Sequence, residues 1–242
     1  MLKAGVIIPI YNEEKTIFSL VKNLLTLSAG GQGVVEEVVI IDDGSTDNTC
    51  KEARKAGAQV ISHRENKGKG EALKTGFRYA LQKGFEVVIT MDGDEQHDWK
   101  EIPAFLEKAQ ENQADIIIGN RMGNVKSMPF LRLWTNRVTS WVISAVARQK
   151  IDDSQSGYRL IRKEVLQNVD LVTSNFDTES EMLIKAVQHG YRISSLPIKT
   201  IYKDKFTSKI KPIKDTIRFI KLVFKFWFFK KIEARSQKTE SR

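Results

Sequence analysis

Val87-Val88-Ile89-Thr90-Met91-Asp92-Gly93-Asp94-Glu95-Gln96-His97-Asp98 is the stretch on which the reading of this chain turns. It opens as an apolar, β-branched run of strand length. The run then breaks off into carboxylates and an amide. If the run is a buried strand, those oxygens emerge together at its carboxyl end, the edge where open α/β sheets bind ligands. Asp92 and Asp94 stand two apart, so an extended chain puts both on one side, with Gly93 leaving room for close approach. Hard oxygen donors of this kind suit Mg²⁺ or Mn²⁺, completed by a substrate's phosphates. An acidic turn capping the next helix, with Asp98 ahead of Trp99, accounts for the same residues. The stretch alone does not choose between the two.

The same sentence is written twice upstream. Gly5-Val6-Ile7-Ile8-Pro9-Ile10 reads as a buried first strand running into Tyr11-Asn12-Glu13-Glu14. Pro9 lacks a donor, so pairing is expected to end near it. A helical pattern from Thr16 to Leu27 follows, with Ile17, Leu20, Val21 and Leu24 on one face and Asn12 as a candidate cap. Glu37-Val38-Val39-Ile40-Ile41 is a second buried strand, delivering Asp42-Asp43-Gly44-Ser45-Thr46-Asp47 to a turn before a helix over 48–56. One acidic strand end is common; two on successive strands begin to describe a site. Val60-Ile61 is a short third strand. Asn66-Lys67-Gly68-Lys69-Gly70 then opens a helix to about Lys83. Its spacing is neither GxGxxG nor that of a P-loop. Tight packing explains its glycines, although a helix N-terminus also invites phosphate near Lys67 or Lys69.

Downstream of the opening stretch, 102–112 reads as a helix and Asp115-Ile116-Ile117-Ile118-Gly119 as a strand ending at Asn120-Arg121. Strand and helix thus alternate four or five times, the pattern of a mostly parallel sheet with helices on both faces. Right-handed crossovers then gather the acidic turns on one edge. Arg121 joins them there, fit to grip phosphate with its fork or to pair with a carboxylate.

The chain has 242 residues, 41% of them hydrophobic, enough for one α/β domain with an ample core. A formal net charge of +9 favours anionic partners: nucleic acid, anionic lipid or phosphorylated substrates. A single cysteine, Cys50, excludes an internal disulfide and a cysteine-based zinc site. No signal peptide is evident, and no run reaches the ~18 apolar residues of a spanning helix.

The second half changes character. Residues 129–149 suit a helix in which Trp134 and Trp141 alternate with Arg132, Arg137 and Arg148, as at a membrane interface or on a core helix with a wet face. Asp152 to Leu160 reads as a polar turn into a short strand. Asp177, a candidate cap, and Glu179 begin a helix to His189. Pro197 marks an edge strand, and Lys203 to Lys209 forms a basic loop. A last helix over about 212–231 carries Lys214, Arg218, Lys221 and Lys225 as a cationic stripe beside a wide apolar arc, suited to lying in a bilayer interface or docking on the protein body. A nucleic-acid binder would interleave aromatics with its basic groove. Here the aromatics cluster with aliphatics in the terminal helix, so no nucleic acid is expected.

Taken together, Val6-Ile7-Ile8-Pro9-Ile10-Tyr11-Asn12-Glu13, Val39 through Asp47, Asn66 through Gly70, and Met91 through His97 resemble the family 2 glycosyltransferases of the GT-A fold, most closely the dolichyl- or polyprenyl-phosphate sugar transferases. Gly119-Asn120-Arg121, Asp153 through Arg159 and Leu196-Pro197-Ile198 fit the same group, and the resemblance covers roughly residues 4 to 210. It implies a GT-A domain over 1–210, with a nucleotide-sugar half (1–98) and an acceptor half (99–210), followed by an amphipathic interfacial helix (211–231) and a polar tail (232–242). Pro9, Tyr11, Glu13, Ile41 and Asp43 would line the nucleotide pocket. Asp92, Gly93 and Asp94 would form the DxD-type element, with Asp94 and Gln96, joined by Asp92, on Mg²⁺ or Mn²⁺. Arg121 would face phosphate, and Lys203 and Lys209 would approach donor or acceptor phosphate. The implied reaction is inverting transfer from a nucleotide-diphosphate sugar to a lipid phosphate. Its setting is the membrane surface, peripheral on the cytoplasmic side, with a membrane-subunit partner or a homo-oligomer as further expectations. A saccharide or lipid-linked saccharide hydroxyl is the alternative acceptor, for which Glu179 or Asp177 would serve as base. Lys203 and Phe206 stand where the mannosyltransferases carry Arg and Gly, so the resemblance leaves the sugar open.

Overall fold

The computed structural model of the protein describes residues 2–29, 34–111, 114–123, 125, 128, 130–199, 201 and 223. In chain order the elements are β1 (Ala4–Ile10), α1 (Ile17–Ala29), β2 (Glu37–Asp42), α2 (Thr49–Ala56), β3 (Gln59–Ser62), α3 (Lys69–Lys83) and β4 (Val87–Thr90). A 3₁₀ turn (Trp99–Glu101) leads to α4 (Ile102–Gln110), β5 (Ile116–Asn120), α5 (Phe130–Ala147), β6 (Arg159–Arg162), α6 (Lys163–Asn168), α7 (Asp177–Gln188) and β7 (Ile193–Pro197).

The strands form one seven-stranded sheet in the order β3-β2-β1-β4-β6-β5-β7. Only β6 runs against its neighbours; every other pairing is parallel. This is the mostly parallel α/β sheet expected from the alternation of elements. The reversed direction of β6 has a functional consequence. Its amino end, with the loop before it, lies at the same edge as the carboxyl ends of β4 and β5.

Near-continuous apolar strands are what a sheet covered on both faces requires. Side chains alternate between faces, and two core clusters show it. Val6, Ile8, Val38 and Ile40 point to the layer of α1, α2 and α4. Ile7, Val39 and Ile41 point to the layer of α3, α5, α6 and α7. β7 is an edge strand, as Pro197 requires.

Pairing of β1 ends within two residues of Pro9, as expected. Ile7 O accepts from Met91 N on the β4 side, and Ile10 O accepts from Asp43 N on the β2 side. Backbone groups of residues two apart face the same neighbour, so the proline nitrogen faces β4. The β1–β4 ladder has already ended at Ile7–Thr90, whereas pairing with β2 continues to Ile10–Asp42. The missing donor falls where no acceptor waits.

Two earlier expectations, Lys203 and Lys209 in a basic loop and the cationic helix and tail after residue 211, lie outside the described residues. Val223 is described: it is helical and packs against the second core cluster. Among the described residues no helix is long and apolar enough to cross a membrane.

The junction of α3 with α7 fixes how the two halves of the sheet are clamped. A Cβ on Gly70 would lie 2.0 Å from Thr178 Oγ1 and 2.6 Å from the Ser174 carbonyl carbon. Gly70→Ala is therefore expected to lower the unfolding free energy by about 1–3 kcal/mol. Gly123→Ala, which meets nothing within 4 Å, should stay within about 0.5 kcal/mol of the parent. Urea titrations of the two variants make the comparison.

Candidate active site

Loops after β1, β2, β4 and β5 meet the loop before β6 at one edge of the sheet, and short hydrogen bonds stitch them together. Asn12 N donates to Ser45 Oγ at 2.9 Å, and Thr46 N donates to Asn12 Oδ1 at 2.9 Å. Glu13 N donates to Thr49 Oγ1 at 2.7 Å, and Thr16 Oγ1 donates to Gly93 O at 3.1 Å. Asn12 is thus a link between two strand ends at a positive φ of 53°, and does not cap α1. Tyr11 and Glu13 sit half-buried beside it, and Pro9 stands in register with Ile41. Ile41 itself is fully buried in the core under α3, where a Cβ on Gly76 would meet its side chain.

Asp43 is buried and its carboxylate is engaged within the protein. Oδ1 accepts from Lys67 N at 2.9 Å and lies 2.8 Å from His63 Nδ1; Oδ2 accepts from Gly68 N at 2.8 Å. It therefore holds the glycine-rich loop against the end of β2. That loop delivers Lys69, the first residue of α3, to the centre of the edge.

Lys69 Nζ donates to Asp92 Oδ1 at 2.6 Å and pairs with Glu179 Oε2 at 3.0 Å. One buried ammonium thus ties a carboxylate from the end of β4 to one from the first turn of α7. Close approach is needed here. A Cβ on Gly157, just before β6, would lie within 3.0 Å of Lys69 Nζ and both Asp92 oxygens.

Asp92 and Asp94 do not alternate along an extended chain as the sequence suggested. β4 stops at Thr90, residues 93–95 turn, and Glu95 adopts a positive φ of 57°. Asp94 instead closes a ring with Gln96: Gln96 N donates to Oδ1 at 3.1 Å and Gln96 Nε2 to Oδ2 at 2.7 Å. Gly93, expected to leave room for a ligand, packs closely on Ile10. Asp98 caps the 3₁₀ turn through Lys100 N at 3.0 Å, so the capping account holds for Asp98 alone. Asp177 is not a cap: it is the first residue of α7, no side-chain cap bond forms there, and its buried Oδ1 lacks a hydrogen-bond partner.

Arg121 is buried and grips Asp153 with two arms, Nε to Oδ2 at 2.7 Å and Nη2 to Oδ1 at 2.8 Å. Its fork is therefore spent on a carboxylate of this chain, while its charge still acts on Asp92. Arg159, fully buried at the start of β6, donates to the carbonyls of Ser156, Glu179 and Ser154 at 2.8 Å each. It fixes the 153–157 loop to the turn that carries Glu179.

The charges at this edge are unequal. Burial works to raise Asp92, but Lys69 overrides it and holds Asp92 well below the ordinary carboxylate range. The same burial works to lower Lys69, and Asp92 and Glu179 hold it above the ordinary lysine range. Among the described residues Asp94 has no such ion-pair partner; burial and the Asp92 charge push it up to about 6. His97 is pulled down to about 4 by burial and is neutral at pH 7. It stacks on Tyr158 with centroids 5.0 Å apart, and its Nδ1 accepts the Asp92 N–H at 3.2 Å.

Does this set fit a divalent cation? Among the described residues no three carboxylate, histidine or cysteine side chains form a self-sufficient cage. What stands together is Asp94, with its raised pKa, and the Gln96 amide beside it. Mg²⁺ and Mn²⁺ are bound in this manner, by one or two hard protein oxygens and the substrate's phosphates. The donor set fits.

Lys69, His97, Asp153, Glu179 and Arg159 carry more of the site than their sequence signals suggested. Lys69 was visible as a lysine between glycines opening a helix, and Arg159 as a cation starting an apolar strand. Neither signal says which carboxylates or carbonyls wait across the fold.

A mostly parallel sheet with one reversed strand, an acidic–amide turn at its carboxyl edge and cations facing it is the architecture of the GT-A glycosyltransferases. The chain belongs to glycosyl transferase family 2, whose match spans residues 5–170. It is 32% identical over 220 residues to the UDP-N-acetylglucosamine–dolichyl-phosphate N-acetylglucosaminyltransferase of Methanococcus voltae, covering 82% of this chain and 85% of that one. It is 34% identical over 197 residues to the dolichol-phosphate mannosyltransferase of Pyrococcus furiosus, covering 76% of this chain but 53% of that one. In fold it resembles glucosyl-3-phosphoglycerate synthase from Mycobacterium tuberculosis, solved with Mn²⁺ and UDP-glucose, at TM-score 0.70 and 20% identity over 93% of this chain and 79% of that one. The protein is a glycosyltransferase.

The Lys69 bridge is open to a direct test. Lys69→Met leaves two half-buried carboxylates facing each other without their cation and should destabilise the fold by about 1–2 kcal/mol, less than for a fully buried pair because water still screens Asp92. Adding Glu179→Gln should recover part of that loss, since one stranded charge is removed. A double-mutant cycle by chemical denaturation reads the coupling; additive losses would show that the bridge carries no energy.

Proposed function

We propose that the protein transfers a sugar, with inversion, from a nucleoside-diphosphate sugar to a polyprenyl phosphate at a membrane surface, using Mg²⁺ or Mn²⁺. The observation that carries this reading is the meeting of Asp92, Asp94 and Gln96 with Lys69 and Arg121 at one sheet edge. The names of the two archaeal relatives support the acceptor class. In this reading residues 1–98 bind the donor, Tyr11, Glu13 and the turn after β2 lying toward the nucleoside. Residues 99–210 receive the acceptor, and Lys203 and Lys209 are taken to serve donor or acceptor phosphate.

In the step, an acceptor phosphate oxygen forms a bond to the anomeric carbon as the bond from that carbon to the nucleoside diphosphate breaks. The bonding pair leaves with the diphosphate. Asp94 and Gln96 would hold the cation, which when bound would supply positive charge against the diphosphate. Asp92, kept ionised by Lys69, contributes a fixed negative charge to that site. Lys69 and Arg121 keep the field at the edge from becoming wholly acidic. A lipid phosphate arrives already anionic, so positioning suffices and no general base is needed. For a hydroxyl acceptor, the second reading, Glu179 is the favoured base because it reaches the site beside Asp92 through Lys69.

Purified protein given a panel of nucleotide sugars, Mn²⁺ and polyprenyl phosphate should yield a glycosyl-phosphate lipid detectable by mass spectrometry. EDTA should abolish it, and Asp94→Ala should slow it by about 100-fold or more. No such lipid with any donor, or sugar found only on a hydroxyl, would reject the first reading.

The raised pKa of Asp94 sets a pH dependence. Below about 6 the carboxyl holds a proton that the cation must displace. Mn²⁺ affinity in the presence of nucleoside diphosphate should therefore climb as pH rises through about 6 and level off above it. Calorimetry on Asp94→Asn, which has no proton to lose, should show that step flattened.

A further inference from the structure

His63 follows β3 directly, at the outer end of the edge that carries the acidic turns. Its side chain is 10% exposed, while Arg64, Glu65 and Asn66 after it lie at the surface. The ring is engaged at both nitrogens. Nδ1 lies 2.8 Å from Asp43 Oδ1, and Nε2 lies 3.0 Å from Thr75 Oγ1 on α3. The backbone N–H of His63 donates to Asp42 O at 2.8 Å. The ring is thereby anchored to the same strand end whose carboxylate it meets.

The role of each nitrogen follows from its partner. An ionised carboxylate accepts and cannot donate, so Nδ1 carries the proton. Arg78 Nη2 donates to Thr75 Oγ1 at 3.0 Å, which leaves the threonine's own proton to point at Nε2 of a neutral ring. Arg78, Thr75, His63 and Asp43 then donate in one direction, from an exposed guanidinium to a buried carboxylate. Hydrogen bonds aligned in this way polarise one another.

The count of acceptor positions on Asp43 gives the ring its purpose. A carboxylate offers about four lone-pair sites. Lys67 N and His63 Nδ1 fill those of Oδ1, and Gly68 N fills one of Oδ2. Among the described residues one site on Oδ2 stays open, beside the ends of β1 and β2. Without the ring a second would open on Oδ1, and the carboxylate would accept in two directions.

We propose that His63 is a positioning residue for the donor, fixing the Asp43 carboxylate so that its open Oδ2 site meets an N–H or O–H of the nucleoside. This rests on the reading that the edge takes a nucleoside diphosphate, and is independent of the acceptor. The competing account has His63 serve the glycine-rich loop alone. Its loss would then reach Lys69 and slow the chemical step. The loop's own bonds to Asp43, from Lys67 N and Gly68 N, do not pass through the ring, so the effect of His63 falls on the nucleoside.

Calorimetry with UDP, GDP, CDP and dTDP, each with Mn²⁺, finds the nucleoside diphosphate that the parent binds most tightly. His63→Leu should weaken that binding about tenfold. His63→Asn, whose amide N–H reaches where the ring Nδ1–H stood, should recover most of the loss. In the transfer assay the donor KM should rise by a similar factor, with kcat within about twofold of the parent. Nitrogen-15 NMR of the parent at about pH 9, above the ordinary histidine range, should find the His63 proton on Nδ1. That measurement needs no folded variant. Parental binding by His63→Leu, an equal loss in both variants, a fall in kcat without a rise in KM, or a ring proton on Nε2 would overturn the proposal. A parent that binds none of the four nucleotides rejects the donor reading along with it. A parent that binds one of them and glycosylates no prenyl phosphate rejects the acceptor alone, and the binding data still decide the role of His63.

Discussion

One ammonium group, that of Lys69, ties the start of α3 to Asp92 at the end of β4 and to Glu179 in the first turn of α7. Removing this largely buried cation leaves two partly desolvated carboxylates facing each other, which is why the contact constrains what packs around it. Gly70 and Gly157 are small where they are because the α3–α7 contact and this charge cluster leave no room for a Cβ. Arg159 holds the loop before β6 and the Glu179 turn in a single grip of carbonyls.

The charge pattern that results is asymmetric by construction. Asp92 is neutralised from within the protein, and Arg121 is occupied by Asp153. Asp94 is left as the carboxylate whose ionisation the surroundings oppose, held by the amide groups of Gln96. A site so arranged has its own ions balanced and one position where an added cation relieves strain in the electrostatics. The partners of Asp43 follow the same economy, since its buried oxygens shape the loop that presents Lys69.

Much of this was legible in the residues. Apolar runs ending in acidic turns located β1, β2 and β4, and Pro197 located an edge strand. Period-two burial cannot be seen in strands that are apolar on both faces, so the sequence could not say which of Ile7 and Ile8 faces α3. The reversal of β6 was equally hidden, because a short strand of Arg-Leu-Ile-Arg reads the same in either direction. Local reasoning assigned Asn12 and Asp177 to helix caps. Tertiary contacts took Asn12 for a strand-end link and left Asp177 inside the first turn. Extended geometry was wrongly carried past Thr90, where Glu95 adopts a left-handed conformation that no local signal announced. The resemblance to family 2 supplied what spacing could not, the joint meaning of motifs far apart in the chain.

The most direct test of the account is a crystal structure of the protein grown with Mn²⁺ and a nucleoside diphosphate, with the ion located by its anomalous signal. The account requires the manganese peak between the diphosphate and the side chains of Asp94 and Gln96, with the nucleoside lying over the ends of β1 and β2. A manganese ion or nucleotide bound away from that edge, with Asp94 and Gln96 still bonded to each other, would contradict it.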